Sequence, residues 1–431
     1  MTQATQSAPP GLPVASPPGL PARTPGAADT VLAGREIPRQ LGRIRLVAVI
    51  IVLAFAALTA LQLILANQAL HAAAKDTEQL VRVQNIKVHM LRADALATNA
   101  FLVGGLEAPE VREKYTESLT AASRTIAEAA EAQPLDGAVL AELNQVLIDY
   151  AEGMAQARAT NRQGLPVGAG YLRASSAELR DRGVTLVDAL VDANTDRAAT
   201  SLGAQLPWLV AAPAVAALIG LGLINQWIAR RFRRRINTGL AAAAAAVLVL
   251  GIAATTISAT QAASNAQLRT GAYATAVNGA EARSAANTAK TNESLRLISR
   301  GSGQAYEEAW ESASANVTSA LDESELWAAP TSAWEDYVAG HEEMVRLDNG
   351  GDWDGAVALA TSRDEGAPTM KFSEFDEGMQ TLVDGAADTT SRTLLSGSIG
   401  FVILTVLTIL GGLGAAALGW RGVSARLKEY A

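Results

Sequence analysis

Cysteine is missing from all 431 residues, which excludes disulfides, thiolate metal sites and a cysteine nucleophile. Histidine occurs three times, as His71, His89 and His341, and none has a second ligand at metal-binding spacing, so no metal centre is expected. The chain has no Walker sequence, no glycine-rich dinucleotide turn and no serine in a nucleophile elbow. It therefore offers neither a catalytic site nor a cofactor site, and the protein is not expected to be an enzyme. A basic excess is missing as well. The net charge is −8, whereas a nucleic-acid binder presents a basic face.

What the chain has in quantity is apolar residue, 49% of the total, more than most soluble domains carry. Four runs reach the ~20 residues a bilayer crossing needs: 46–66, 206–225, 240–259 and 394–419. The positive charges cluster at three places: Arg35, Arg39, Arg43 and Arg45 before the first run, Arg230, Arg231, Arg233, Arg234 and Arg235 between the second and third, and Arg421, Arg426 and Lys428 after the fourth. These three segments together carry a net +10 and the two long loops a net −18, so charge is segregated by side. The positive-inside rule then puts both termini in the cytoplasm of a multi-pass plasma-membrane protein. The arginine cluster reads first as a topogenic loop attracted to anionic lipid, and second as a docking point.

The expected order follows. Residues 1–42 form a disordered cytoplasmic tail holding most of the prolines and repeating PPGLP; 43–66 is the first span; 67–205 an extracytoplasmic helical bundle; 206–226 the second span. Residues 227–239 are the arginine loop, 240–260 the third span, 261–393 a second bundle, 394–420 the fourth span and 421–431 a short tail. The cytoplasmic pieces are too short to bury the core of a kinase, cyclase or phosphotransfer domain.

Between Arg43 and Val103 no glycine or proline occurs, which predicts one helix running out of the membrane. Along its outer half Val83, Ile86, Met90, Ala93, Ala97 and Ala100 repeat at three- and four-residue intervals, the stripe of a bundle helix. Gly104-Gly105 should turn the chain, with further helices from Pro109 to Ala132, Val139 to Gln163 and Tyr171 to Leu206. The second half repeats the plan: a long helix to Arg300, then Ala305 to Leu321, a break at Ala329-Pro330, Ser332 to Leu347, and Lys371 onward. The fold class is thus all-α, four transmembrane helices carrying two tandem four-helix bundles.

Two short matches suggest a duplication: Thr98-Asn99 with Thr291-Asn292, each ahead of a glycine turn, and DYxxG with Tyr150 and Tyr337. These six residues are the candidates for contact with a ligand or partner. The bland readings are helix-end capping for the first four and bundle core for the tyrosines. In the fourth span Gly411, Ala415 and Gly419 stand four apart, a face for close helix packing, and Ser396 with Gly400 extends it.

From about residue 40 to 430 the chain resembles actinobacterial GlnX-type membrane proteins, and each bundle resembles the four-helix sensor domains of chemoreceptors and sensor kinases. The resemblance rests on the topology, the arginine loop and the paired segments. It implies a non-enzymatic relay. An extracytoplasmic solute-binding protein reporting amino acids such as glutamate or aspartate would act outside, and a soluble Ser/Thr kinase inside. No catalytic residue is carried over, and membrane lipids and a second copy are the other expected partners. The competing class is a structural or accessory subunit of an envelope or transporter complex.

Overall fold

The computed structural model describes residues 27–104, 107–232, 237–322 and 328–427. Among them every regular element is helical and no strand occurs. Helix α1 (Ala27–Val103) is followed by α2 (Pro109–Ala132), α3 (Gly137–Arg162), α4 (Val167–Glu178) and α5 (Thr185–Gly203). Then come α6 (Pro207–Phe232), α7 (Thr238–Thr270), α8 (Ala272–Ile298), α9 (Gln304–Leu321), α10 (Ala328–Asn349), α11 (Trp353–Thr361) and α12 (Pro368–Leu427).

Glycine and proline explain most of the boundaries. Helix α1 stops at Gly104, whose φ of +65° lies in the left-handed region that costs glycine least. Pro109 opens α2 in its first turn, where the missing N–H would be unpaired anyway. Four differences from the expected elements have local causes. Helix starts at Ala27, just past the proline repeat that ends at Pro25, rather than near residue 43, and continues through Gly34 and Pro38. The long helix of the second half divides at Gly271, where a Cβ would come 3.0 Å from the Gln267 carbonyl oxygen. Pro330 sits inside the first turn of α10 rather than breaking it, again a position that tolerates proline. A short helix, α11, fills the connection before α12, started by Asp352 accepting from the Gly355 N–H. Between α4 and α5 the helix widens to a π-turn over Leu179–Val184, where Gly183 lies against Met90 of α1.

Four helical stretches are long and apolar enough to cross a membrane: Gln40–Val103, Val167–Arg230, Thr238–Ile298 and Pro368–Ser424. They pack as one bundle around Ala48, Val52 and Phe55 of α1, Ala217 and Leu221 of α6, Ala243 and Val247 of α7 and Ala415 of α12. Their outer faces expose Ile50, Ile219, Val249 and Ile399, a belt of large apolar side chains that belongs in lipid. Gly411 approaches Leu250 and Gly400 approaches Ile257, so this face of α12 lies on α7. Gly419 is looser, 3.9 Å from Ala243, and Ser396 is exposed, with Gly397 making the close contact to Gln261 instead. At one end of this bundle Arg45 stacks on Trp420 at 3.6 Å and donates to Ser424, tying α1 to α12. Asn237 donates to the Gly422 carbonyl, and Gly239 meets Gly422 backbone to backbone.

Away from the spans, α1, α2, α3 and the α4–α5 pair form bundle 1 around Val83, Ile86, Met90, Leu143, Tyr150 and Leu179. Bundle 2 consists of α8, α9, α10 and the first part of α12, with Trp310, Trp334, Tyr337 and Phe375 at its centre. The two bundles are not independent beads on the chain. Helix α1 packs against α8, α11 and α12. Polar contacts cross the seam, Arg92 to Asp376 at 3.5 Å and Asn99 to the Ala360 carbonyl at 3.0 Å.

Candidate functional site

At the end of bundle 1 farthest from the spans, three helix ends converge. Helix α1 ends at Gly104, α2 begins at Pro109, and α3 ends before Gly164, which is again left-handed with φ +68°. Between them lies a cavity of about 320 Å³ lined by Phe101, Glu107, Arg112, Ala155, Arg158 and Arg162, among others. That is small-molecule scale.

Three arginines against one glutamate give the cavity a positive field. Arg158 is largely buried and lies with its guanidinium 3.8 Å from the centre of the Tyr115 ring, which holds it flat. Arg112 approaches the same ring more distantly, at 5.6 Å. Glu107 is the local counter-ion, 3.3 Å from Arg158 Nε and 3.7 Å from Arg112. The pairing is incomplete: Arg158 Nε and Nη2 and Glu107 Oε1 are buried without a hydrogen-bond partner. Burial pushes the Tyr115 hydroxyl pKa up, against the pull of Arg158 and Arg112. A planar fork of donors left partly unused is suited to a carboxylate or similar anion.

The six candidates read from the sequence fall around this region but not in it. Thr98 is fully buried and donates to the Asp94 carbonyl at 2.8 Å, while Asn99 is half-buried at the seam. Both lie a turn below Phe101 on α1. Thr291 is fully buried, and Asn292 is buried and accepts from Arg180 of bundle 1 at 3.3 Å. Tyr150 and Tyr337 are core residues whose hydroxyls donate to Asp94 and Glu293. Thr98, Thr291, Asn292 and the two tyrosines are buried, Asn292 also lining an open groove between the bundles with Arg180, Thr288 and Tyr306. Paired motifs near a turn mark recurrent helix geometry as readily as contact, and here they sit on the packed faces. Of the arginine cluster, Arg230 is exposed on α6, the side chain of Arg231 is not described, and Arg233, Arg234 and Arg235 lie outside the described residues.

Composition did carry a signal for the cavity. Arg158 and Arg162 are one turn apart on one face of α3, just before a glycine stop, and Glu107 lies in the facing turn. What the sequence does not show is that Arg112, from another helix, joins them.

Bundle 2 carries its charges differently. His341 is buried between two carboxylates, Nδ1 3.1 Å from Glu293 and Nε2 3.2 Å from Glu307, with its ring stacked on Trp310 at 3.6 Å. Glu293 also receives Lys290 and the Tyr337 hydroxyl. Burial opposes the Glu293 charge, but Lys290 and His341 outweigh it and hold its pKa at about 2. Burial likewise opposes the His341 charge, and the two glutamates overcome it, raising its pKa. At the far end of the bundle Arg296 is bound by Glu307, Asp348 and Asn349. No group of His, Asp and Glu among the described residues is arranged to hold a metal.

The fold and the cavity together define a class: a multi-pass helical membrane protein whose first bundle encloses a ligand-sized, positively charged site. Residues 69–203 match the family model described as Actinobacterial sensor domain, a span that takes in the outer part of α1 through α5 and so the whole of bundle 1 with its cavity. Bundle 1 is similar to a sensor domain of actinobacterial proteins, a similarity that points to sensing for this segment. No curated protein and no solved structure matches the chain.

Proposed function

We propose that the chain is a transmembrane signal relay in which the cavity of bundle 1 receives a small solute outside the membrane, directly or from a solute-binding protein. The observation that carries this reading is the cavity itself. It lies inside the segment similar to a sensor domain, and its walls are the ends of α1, α2 and α3. Helix α1 runs unbroken from that cavity, through the first span, to the Arg45–Trp420 stack with α12. A displacement of ~1–2 Å at the cavity, typical of helix shifts in switching proteins, would thus reach the cytoplasmic side through one rigid element. On that side the positively charged sequence Arg230–Arg235 and the proline-rich N-terminal segment are the parts of the sequence we assign to a soluble partner. In the GlnX-type resemblance that partner is a Ser/Thr kinase and the solutes are amino acids such as glutamate or aspartate.

The absence of cysteine makes the test direct, because thiols introduced by Arg45→Cys and Ser424→Cys are the only ones present. Their bismaleimide crosslinking rate is measured in membranes against a panel of amino acids, organic acids, sugars and amines. A solute that changes the rate, with the response lost when Ala155→Trp fills the cavity, supports the relay. If neither any solute nor Ala155→Trp itself alters the rate, the relay reading fails and a scaffold role in an envelope or transporter complex takes its place.

A further inference from the structure

The unused donors of Arg158 are sealed from solvent, so an anion reaches them only when a neighbour gives way. The neighbour placed to do so is Glu107. It is the one acid among the described residues of the cavity wall, and it lies two residues before Pro109, outside any helix. Its Oε2 faces both Arg158 and Arg112, while its Oε1 meets no donor. A carboxylate held by two guanidinium groups yet half-satisfied is a weak clamp, since a good one pairs both oxygens. Tyr115 beneath Arg158, by contrast, keeps the guanidinium plane in place whichever anion it holds.

We propose that the cavity binds a small carboxylate-bearing solute and that Glu107 is its tethered competitor, occupying Arg112 and Arg158 until the solute's carboxylate replaces it. The proposal rests on the reading of bundle 1 as the receiving domain and names the chemistry of what it receives. Two features of the site set the preference. The net positive wall selects an anion over its neutral amide, because the amide leaves a buried guanidinium facing a donor. The volume of about 320 Å³ admits a molecule of a few carbons and excludes a polymer.

The test is calorimetric titration of the full-length protein in lipid nanodiscs with acetate, succinate and L-glutamate, each beside its neutral amide (acetamide, succinamide, L-glutamine), and with inorganic phosphate. At least one carboxylate is expected to bind while its amide does not. Glu107→Gln should tighten that binding about five- to tenfold, the affinity withheld by a competing ion pair of modest strength. Arg158→Gln should weaken it about 10- to 100-fold, the worth of a charge-assisted hydrogen bond. Equal binding of acid and amide overturns the proposal, as does unchanged or weakened binding in Glu107→Gln, or phosphate binding with no carboxylate. Failure of every acid to bind both the unaltered protein and Glu107→Gln also overturns it. A neutral solute that acts through the cavity to shift the crosslinking rate of the Arg45→Cys, Ser424→Cys pair would sink the carboxylate assignment while leaving the relay standing.

Discussion

Bundles 1 and 2 place the same pair of groups in their cores, a tyrosine of the third helix donating to a carboxylate of the first, and treat the charge in opposite ways. In bundle 1 Tyr150 and Ser176 donate to Asp94, and desolvation prevails over the pull of Arg180, so the Asp94 pKa is raised. In bundle 2 Tyr337 donates to Glu293, but Lys290 and His341 are in contact with it and its pKa falls to about 2. The difference extends to the far ends. Arg158 pairs with Glu107 alone, whereas Arg296 has three acceptors nearby, although its Nε and Glu307 Oε2 are likewise buried without a hydrogen-bond partner. Bundle 2 gathers more acceptors around its buried arginine, while bundle 1, which ties its own helices through Asp136 with Gln79, Asn194 and Arg197, leaves Arg158 with Glu107 alone.

The sharpest way to break this comparison is Glu293→Ala. It leaves Lys290 buried without its partner, and a loss of about 3–5 kcal/mol is expected, read as a lowered midpoint in denaturant for bundle 2. A loss below ~1 kcal/mol would mean that the network is not structural.

Acid should separate the bundles by sign. Glu293 has a folded pKa below its ordinary 4.5, so its contribution, on the order of 3 kcal/mol, is present above that value and fades as pH falls toward 2. His341 is raised above 6.5, so its contribution is complete below 6.5 and is lost as pH climbs through the folded value. Asp94 is raised above 3.8, so bundle 1 gains from its protonation and weakens as pH rises through that folded value. Hydrogen exchange at about pH 5 and pH 3, on either side of the ordinary carboxylate range, should therefore show α8 and α10 loosening while α1 and α3 around Asp94 tighten. Parallel behaviour of the two bundles would remove the contrast.

Arg158→Gln is the next smaller effect on stability, roughly 1 kcal/mol for the lost stack and ion pair, measured by thermal melting. A much larger loss would make Arg158 a structural residue like Arg296. The smallest effect belongs to an exposed bridge across the seam, Arg363 to Glu110 at 3.5 Å. Arg363→Ala should change stability by no more than about 0.5 kcal/mol, and a larger change would mean the bundles lean on surface charge to stay together.

Much of the helical plan was legible because its determinants are local. The glycine- and proline-free run after Arg43, the stop at Gly104 and the start at Pro109 are readable from the residues themselves, and Val83, Ile86, Met90, Ala93 and Ala97 do line the bundle 1 core. The break at Gly271 and the short α11 are not legible in the same way, because one glycine in an alanine-rich stretch and a few residues between two long helices are weak local signals. The paired TN and DYxxG segments mark equivalent places in the two halves. Thr98, Thr291, Tyr150 and Tyr337 of these segments are buried, while Asn99 and Asn292 make polar contacts across the seam.

By itself, then, the order of residues determined that the chain is helical, where its four apolar spans lie and which segments carry positive charge, since hydropathy, helix breakers and charge act over a turn or two of chain. Only the tertiary structure decided that α1 is shared between the bundles, that Arg112 of α2 joins Arg158 and Arg162 of α3 over Tyr115, and that Lys290, Glu293, Glu307 and His341 close on one another. Those meetings join residues from a few to more than two hundred positions apart. Whether an arginine ends beside an acid or beside an open cavity depends on how helices cross, which local pattern does not encode.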